Sequence, residues 1–171
     1  VALRGEGLLV CNEIHPARAK ILSENVERMG IRNALVTNES PEKLAAVFGG
    51  YFHKILVDAP CSGEGMFRKN EEALVEWSPE NVQMCAERQD EILEEVAKML
   101  RPGGRICYST CTFAPAENED CMARFITSHP EFHLVEVEKK GNLSAGNPAY
   151  AKTQVEGLEK TIRLCLADFF R

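Results

Sequence analysis

The sequence predicts an α/β fold in which helices cover a mostly parallel sheet. Short apolar runs alternate with helical stretches along the chain, an order typical of parallel strands joined by helices. Two late candidate strands, Phe132–Val137 and Thr161–Leu166, indicate an antiparallel strand at the C-terminal end. The 171 residues are 44% hydrophobic, which favours a single domain with its own core.

Three strands and two helices are predicted in the first part of the chain. Pro16 and Gly30 bracket the first helix, whose apolar residues recur at helical spacing. Gly49 and Gly50 close the second helix. In chain order the elements are Leu8–Glu13, Ala17–Met29, Ala34–Thr37, Pro41–Phe48 and Lys54–Asp58.

The second part of the chain begins with a long helix. Ser78 is a capping residue followed by proline and a carboxylate, and the helix ends near Leu100, before the Arg-Pro-Gly-Gly turn. A fourth strand is predicted at Arg105–Ser109, and another helix runs from Ala116 to about Ser128. Residues 139–160 are polar and rich in glycine and asparagine, so we expect a flexible loop there.

The composition of the chain limits the classes of protein to which it can belong. The chain has no apolar run of the roughly 20 residues that span a bilayer, and no signal-peptide pattern. Seven cysteines, an odd number, favour reduced thiols in the cytoplasm. Scattered histidines without a Cys-x-x-Cys pair argue against a zinc site.

The net charge of −6 argues mildly against a nucleic-acid partner, unless a local patch or a separate domain holds the nucleic acid. Because the chain starts at Val1 rather than Met, we expect it to come from a longer protein.

Distinctive residues follow four of the predicted strands. They are Glu13, Asn38, Asp58 with Cys61, and Cys111. Ligands of open parallel sheets bind outside the carboxyl ends of the strands. If the strands before Cys61 and Cys111 are neighbours, about 5 Å apart, both thiols face one cleft.

Simpler interpretations stand beside these. Free cysteines are most often small buried apolar residues, which is the interpretation given to Cys11, Cys85, Cys107, Cys121 and Cys165. Glu13 is either a solvated loop residue or an acid that holds ribose hydroxyls, as in nucleotide-binding folds.

The two cysteine segments carry a family resemblance. They resemble the paired motifs of the Nop/Sun (Fmu) RNA cytosine-5 methyltransferases, and residues 64–68 look closest to the bacterial branch acting on 16S ribosomal RNA. The resemblance covers about residues 5–135. The segments that carry it are Val57–Arg68, Tyr108–Thr112, Trp77–Pro79, Gln89, Leu100–Gly104 and Glu117–Glu119.

The resemblance implies a chemistry for the matching positions. Cys111 matches the nucleophile, whose thiolate attacks carbon 6 of cytosine and thereby activates carbon 5 toward methylation. Cys61 matches the cysteine that assists release of the product, and Asp58 matches the aspartate that hydrogen-bonds the cytosine edge. The base would have to be flipped out or already unpaired.

The resemblance also implies a fold and a cofactor. The fold is a Rossmann-like class I methyltransferase sheet that binds S-adenosylmethionine, with Asp58 and Pro60 beside the methyl donor. Glu13 matches the ribose-binding acid, and Asn38 takes the adenine-side position, where an aspartate is common in the family. We expect the family's glycine-rich loop and first strand to lie upstream of residue 5, so this chain would be a catalytic-domain fragment carrying half of the cofactor site.

Three alternatives remain open. A phosphatase-like loop needs five residues between cysteine and arginine, whereas six separate Cys61 from Arg68. A catalytically incomplete module could bind only RNA or a protein. A Cys61–Cys111 disulfide could carry redox chemistry, although a cytoplasmic setting disfavours it.

Overall fold

The computed structural model describes residues 6–67, 75, 77–139 and 143–163. The first unit is a strand, helix and strand: β1 (Leu9–Asn12), α1 (Pro16–Arg28) and β2 (Ala34–Thr37). The two strands are parallel, with Asn12 opposite Thr37 at their carboxyl ends. Parallel neighbours need a crossover connection of this kind, and α1 supplies it.

The second unit repeats that plan on a larger scale. It comprises α2 (Pro41–Phe48), β3 (Phe52–Asp58), α3 (Pro79–Met99) and β4 (Leu100–Ser109). Strands β3 and β4 are parallel, as the sequence predicted, and they are direct neighbours, with Asp58 opposite Ser109. Helix α3 begins as predicted, because the Ser78 hydroxyl accepts the backbone N–H of Asn81 and caps its first turn.

The β1–β2 and β3–β4 pairs form two separate sheets. Within the described residues no strand is hydrogen-bonded to both pairs.

The C-terminal strands differ from the prediction. Residues of the predicted strand Phe132–Val137 are irregular, and β6 (Ile162–Arg163) pairs antiparallel with β5 (Ser144–Ala145) instead. The alternating apolar residues serve as packing anchors: Phe132 joins the cluster around α4 (Glu119–Ser128) and Leu134 joins a neighbouring one. The predicted strand at Thr161–Leu166 is therefore right in orientation but wrong in partner, and its residues 164–166 lie outside the described part.

The segment between β5 and β6 contains two short 3₁₀ turns, Pro148–Tyr150 and Leu158–Lys160. Leu158 is fully buried against Ala123 and Ala151. The flexibility expected for residues 139–160 stays a prediction, and residues 140–142 lie outside the described part.

The core accounts for some of the cysteines. Cys85 and Cys121 are buried, as predicted, and Cys11 is partly buried. Cys107 is exposed, so its predicted burial is wrong: β4 packs on α3 and α4 through Ile106 and Tyr108, and alternate side chains point away. Cys165 lies outside the described residues. Of the helices that are described, none has the length and apolar character to cross a membrane.

Candidate active site

Cys61 and Cys111 meet at the carboxyl edge of the β3–β4 pair. Cys61 follows the Ala59-Pro60 turn after β3, and Cys111 comes two residues after β4. Their sulfur atoms are 3.0 Å apart, and the backbone N–H of Cys111 donates to the Cys61 sulfur at 3.3 Å. The prediction that the two thiols come together at one sheet edge is confirmed, because the two strands are neighbours.

The two thiols have different surroundings. Cys111 is exposed, whereas Cys61 is partly buried. Burial, followed by the hydrogen bond with the Cys111 thiol, raises the pKa of Cys61 to about 12. At neutral pH Cys61 is therefore protonated and able to donate its S–H to the Cys111 sulfur at 3.0 Å.

The loop after Cys61 holds the backbone of the Cys111 segment. One carboxylate oxygen of Glu64 accepts the Phe113 N–H at 2.8 Å and the Thr112 hydroxyl at 3.1 Å. Its other oxygen accepts the indole N–H of Trp77 at 3.0 Å. The N–H of Gly65 donates to the Cys111 carbonyl at 2.7 Å. These bonds fix the path of the backbone through Cys111 after the end of β4.

A buried carboxylate lies behind the two cysteines. Glu117, at the end of the 3₁₀ turn Pro115–Glu117, has none of its surface exposed. It accepts the Ser62 N–H at 3.1 Å, the Ser62 hydroxyl at 2.5 Å and the Gln89 amide at 2.7 Å. The Ser62 and Thr112 hydroxyls are also 2.9 Å apart, which joins the residues that follow each cysteine.

Asp58, another predicted residue of this edge, is exposed at the end of β3. Next to it, Ala59 donates its N–H to the Ser109 carbonyl at 2.9 Å, extending the strand pairing to the turn. The Pro60 carbonyl accepts the Gln89 amide at 2.8 Å. Asp58 and Pro60 thus share this sheet edge with both thiols.

Glu13 and Asn38 come together at the carboxyl edge of the other strand pair. The side-chain amide of Asn38 donates to the Glu13 carbonyl at 2.6 Å, and the Glu13 N–H donates to the Thr37 carbonyl at 3.1 Å. The Glu13 carboxylate accepts the His15 N–H at 2.9 Å and contacts Arg18. The His15 bond is the leading cause of a lowered pKa at Glu13, so its carboxylate is charged at neutral pH.

The carboxyl edge of the β1–β2 pair fits a nucleoside cofactor. A charged carboxylate after a parallel strand is the acceptor that ribose hydroxyls require. Arg18, which is 67% exposed at its side chain, shares that carboxylate without enclosing it. The Asn38 amide nitrogen is already engaged with Glu13, so its carbonyl oxygen is the atom suited to an adenine amine.

The structure thus divides the predicted site residues between two sheet edges. Glu13 and Asn38 form one group, and Asp58, Pro60, Cys61 and Cys111 form the other. Arg68, on which the phosphatase-like alternative depends, lies outside the described residues. Within the described ranges no three His, Cys, Asp or Glu side chains are grouped as metal ligands.

Sequence reasoning gave no role to Glu64, Gly65, Gln89 or Glu117. Gln89 had a signal: it occupies the apolar stripe of α3 between Cys85 and Leu93, where a buried polar side chain needs a partner. Glu117 had no such signal, because its burial depends on contacts with residues 55 positions away.

Comparisons with known proteins identify the family of the chain. A family model described as "16S rRNA methyltransferase RsmB/F" matches residues 2–158. Ribosomal RNA small subunit methyltransferase F of Escherichia fergusonii is 40% identical over 144 residues, covering 84% of this chain and 30% of the relative. The protein of the same name from Vibrio vulnificus strain YJ016 is 43% identical over 121 residues, covering 68% and 25%.

A solved structure gives the same result. NSun6 from Pyrococcus horikoshii, solved with SFG, superposes with a TM-score of 0.71 at 27% identity, covering 86% of this chain and 36% of that one. The likeness confirms the predicted Rossmann-like methyltransferase fold. The chain spans less than a third of the length of the curated relatives named above. With the family model matching most of its length, the chain belongs to the 16S rRNA methyltransferase RsmB/F family.

Proposed function

We propose that this chain carries the catalytic cysteines of an S-adenosylmethionine-dependent enzyme that methylates carbon 5 of cytosine in ribosomal RNA. The observation that supports it is the 3.0 Å contact between the sulfurs of Cys61 and Cys111 at the carboxyl edge of two parallel strands. Two relatives named small subunit methyltransferase F support ribosomal RNA as the substrate. Because the thiols must stay reduced, the reaction belongs in the cytoplasm.

Cys111 is the nucleophile in this proposal, being the exposed thiol of the pair. Its thiolate forms a bond to carbon 6 of an unstacked cytosine, and the electron pair of the ring double bond moves to carbon 5. Asp58 holds the cytosine edge. S-adenosylmethionine supplies the electrophilic methyl group from its sulfonium, and the Glu13 carboxylate binds its ribose.

Cys61 assists the release step. After methylation, carbon 5 loses its proton to water, the ring double bond re-forms, and the bond between carbon 6 and the Cys111 sulfur breaks with its electron pair returning to sulfur. Cys61 keeps its proton at neutral pH because burial raises its pKa. At 3.0 Å it can donate that proton to the departing sulfur.

A trapping experiment tests both roles. The full-length protein carrying Cys61→Ala is incubated with small-subunit ribosomal RNA and S-adenosylmethionine, and run on a denaturing gel. We expect a nuclease-sensitive shifted band that disappears when Cys111→Ala is added, and a weaker band with transfer RNA. No band and no methyl transfer would favour the non-catalytic binding module. No band with methyl transfer intact would mean that the thiol roles are assigned wrongly.

A further inference from the structure

Glu117 is a fully buried carboxylate in the described structure, and its burial must be compensated by hydrogen bonds. Burying a carboxylate is unfavourable unless hydrogen bonds replace its water. Here the donors are the Ser62 N–H, the Ser62 hydroxyl and the Gln89 amide. All of them belong to elements other than the Glu117 turn, so the carboxylate holds separate segments together.

The bonds of Glu117 converge on the backbone around Cys61. Ser62, immediately after Cys61, is held by Glu117 directly. Pro60, immediately before Cys61, is held at its carbonyl by the Gln89 amide, which donates to Glu117 as well. The other amide atom of Gln89, Oε1, has no hydrogen-bond partner within the described residues. Glu117 and Gln89 therefore fix the peptide groups on both sides of Cys61.

Cys111 has a different support. Its carbonyl and the two residues that follow it are held by Gly65 and Glu64, from the loop after Cys61. Glu117 itself is anchored at its backbone carbonyl by the Tyr108 hydroxyl at 2.8 Å. Each cysteine loop thus supplies the carboxylate that holds the other loop. The two carboxylates differ, and the Ser62–Thr112 hydroxyl contact at 2.9 Å connects their hydrogen bonds.

We propose that Glu117, together with Gln89, is the positioning residue for Cys61 and thereby controls release of the methylated RNA. This inference rests on the proposed function, in which Cys61 assists expulsion of Cys111. Glu117→Gln replaces one acceptor oxygen with an N–H₂ group, so one of the bonds to Ser62 or Gln89 is lost. Cys61 then moves relative to the Cys111 sulfur, while Glu64 and Gly65 still hold Cys111 for attack.

The test compares four variants of the full-length protein: Cys61→Ala, Glu117→Gln, Gln89→Met and Glu91→Gln. The covalent RNA adduct is measured on denaturing gels, and methyl transfer is measured in a single turnover and at steady state. For Glu117→Gln and Gln89→Met we expect adduct accumulation and steady-state turnover roughly tenfold slower, the effect of one lost hydrogen bond, with first-turnover transfer nearly unchanged. Glu91 lies on the exposed side of α3, and its variant should match the wild type.

The outcomes separate the two proposals. If Cys61→Ala accumulates adduct while Glu117→Gln and Gln89→Met show wild-type adduct levels, the inference is overturned and the proposed function stands. Equal loss of first-turnover transfer and steady-state turnover in both would also overturn it, since that pattern indicates general structural damage. Absence of adduct from Cys61→Ala itself would contradict the proposed function. If thermal unfolding shows that Glu117→Gln does not fold, Gln89→Met decides.

Discussion

The backbone N–H of Gly65 donates to the carbonyl oxygen of Cys111 at 2.7 Å, which places the loop after Cys61 directly against the proposed nucleophile. The approach is too close for any side chain. A Cβ built on Gly65 would lie 2.5 Å from the Cys111 carbonyl oxygen and 3.4 Å from its carbonyl carbon. Because the neighbour is backbone, the clash can be relieved only by moving the Gly65 loop or the segment that carries Cys111, and either movement disturbs the hydrogen bond between them.

Gly65→Ala should therefore impair attack rather than release. We expect methyl transfer to fall about a hundredfold, the penalty typical of a misplaced reacting group, with no adduct accumulating. The rate of methyl transfer is measured in a single turnover, and the adduct is measured on a denaturing gel. Gly49→Ala is the matched control, because its Cβ would lie 3.7 Å from the nearest atom, Ala45 O, an ordinary contact. Wild-type transfer by Gly65→Ala would contradict the assigned position of Cys111.

The second prediction concerns the pH dependence of Cys61. Burial and the Cys111 thiol raise the pKa of Cys61 to about 12, so its thiolate fraction should still be rising tenfold per pH unit between pH 8 and 10. Alkylation with iodoacetamide, followed at the Cys61 peptide by mass spectrometry, should show no plateau in that range.

In Cys111→Ala the hydrogen bond and the like charge of the second thiol are absent. The pKa of Cys61 should then fall toward its ordinary value of 9.0, although burial still raises it. Alkylation at pH 8 should become faster than in the wild type. A plateau near pH 9 in the wild-type protein would show that neither burial nor the Cys111 thiol raises the pKa of Cys61 as the structure indicates.

The sequence predicted the pairing of the cysteines but not what supports them. Cys61 and Cys111 could be brought together from sequence because the carboxyl ends of parallel β3 and β4 meet at one edge. The roles of Glu117 and Gln89 depend on which side chains become buried together, and local pattern does not encode that. In the same way, the alternating residues of Phe132–Val137 indicated a strand, although tertiary packing uses them as anchors.

A third prediction concerns the C-terminal segment. Arg163 in β6, with 12% of its side chain exposed, pairs with Glu119, and it also donates to the Phe113 carbonyl at 3.0 Å. Arg163→Met would leave the buried Glu119 carboxylate without its cation. We expect this to lower the free energy of unfolding by about 3–5 kcal/mol. We expect the amides of residues 143–163 to exchange faster with deuterium, including the Gly146 N–H bonded to Thr161.

The matched control for this prediction is an exposed ion pair. Lys43 and Glu39 are 72% and 45% exposed at their side chains, and such pairs contribute little. Lys43→Met should leave exchange in residues 143–163 unchanged. If Arg163→Met exchanges as slowly as the wild type there, the Glu119 pair does not hold the segment, and its position depends on Leu158 instead.

The final prediction concerns the other sheet edge. Glu13 is the charged acceptor proposed to bind the cofactor ribose, since the His15 N–H lowers its pKa. Glu13→Gln keeps the size of the side chain and its backbone bond to Thr37 but removes the charge. We expect the affinity of the full-length protein for S-adenosylmethionine to fall roughly tenfold, as for one weakened charge-assisted hydrogen bond. Isothermal titration calorimetry measures this affinity.

Glu24→Gln is the control. Glu24 lies on the exposed side of α1, and its variant should bind S-adenosylmethionine as the wild type does. Equal affinity in Glu13→Gln would mean that the pair of Glu13 with Arg18 serves the turn before α1 and not the cofactor.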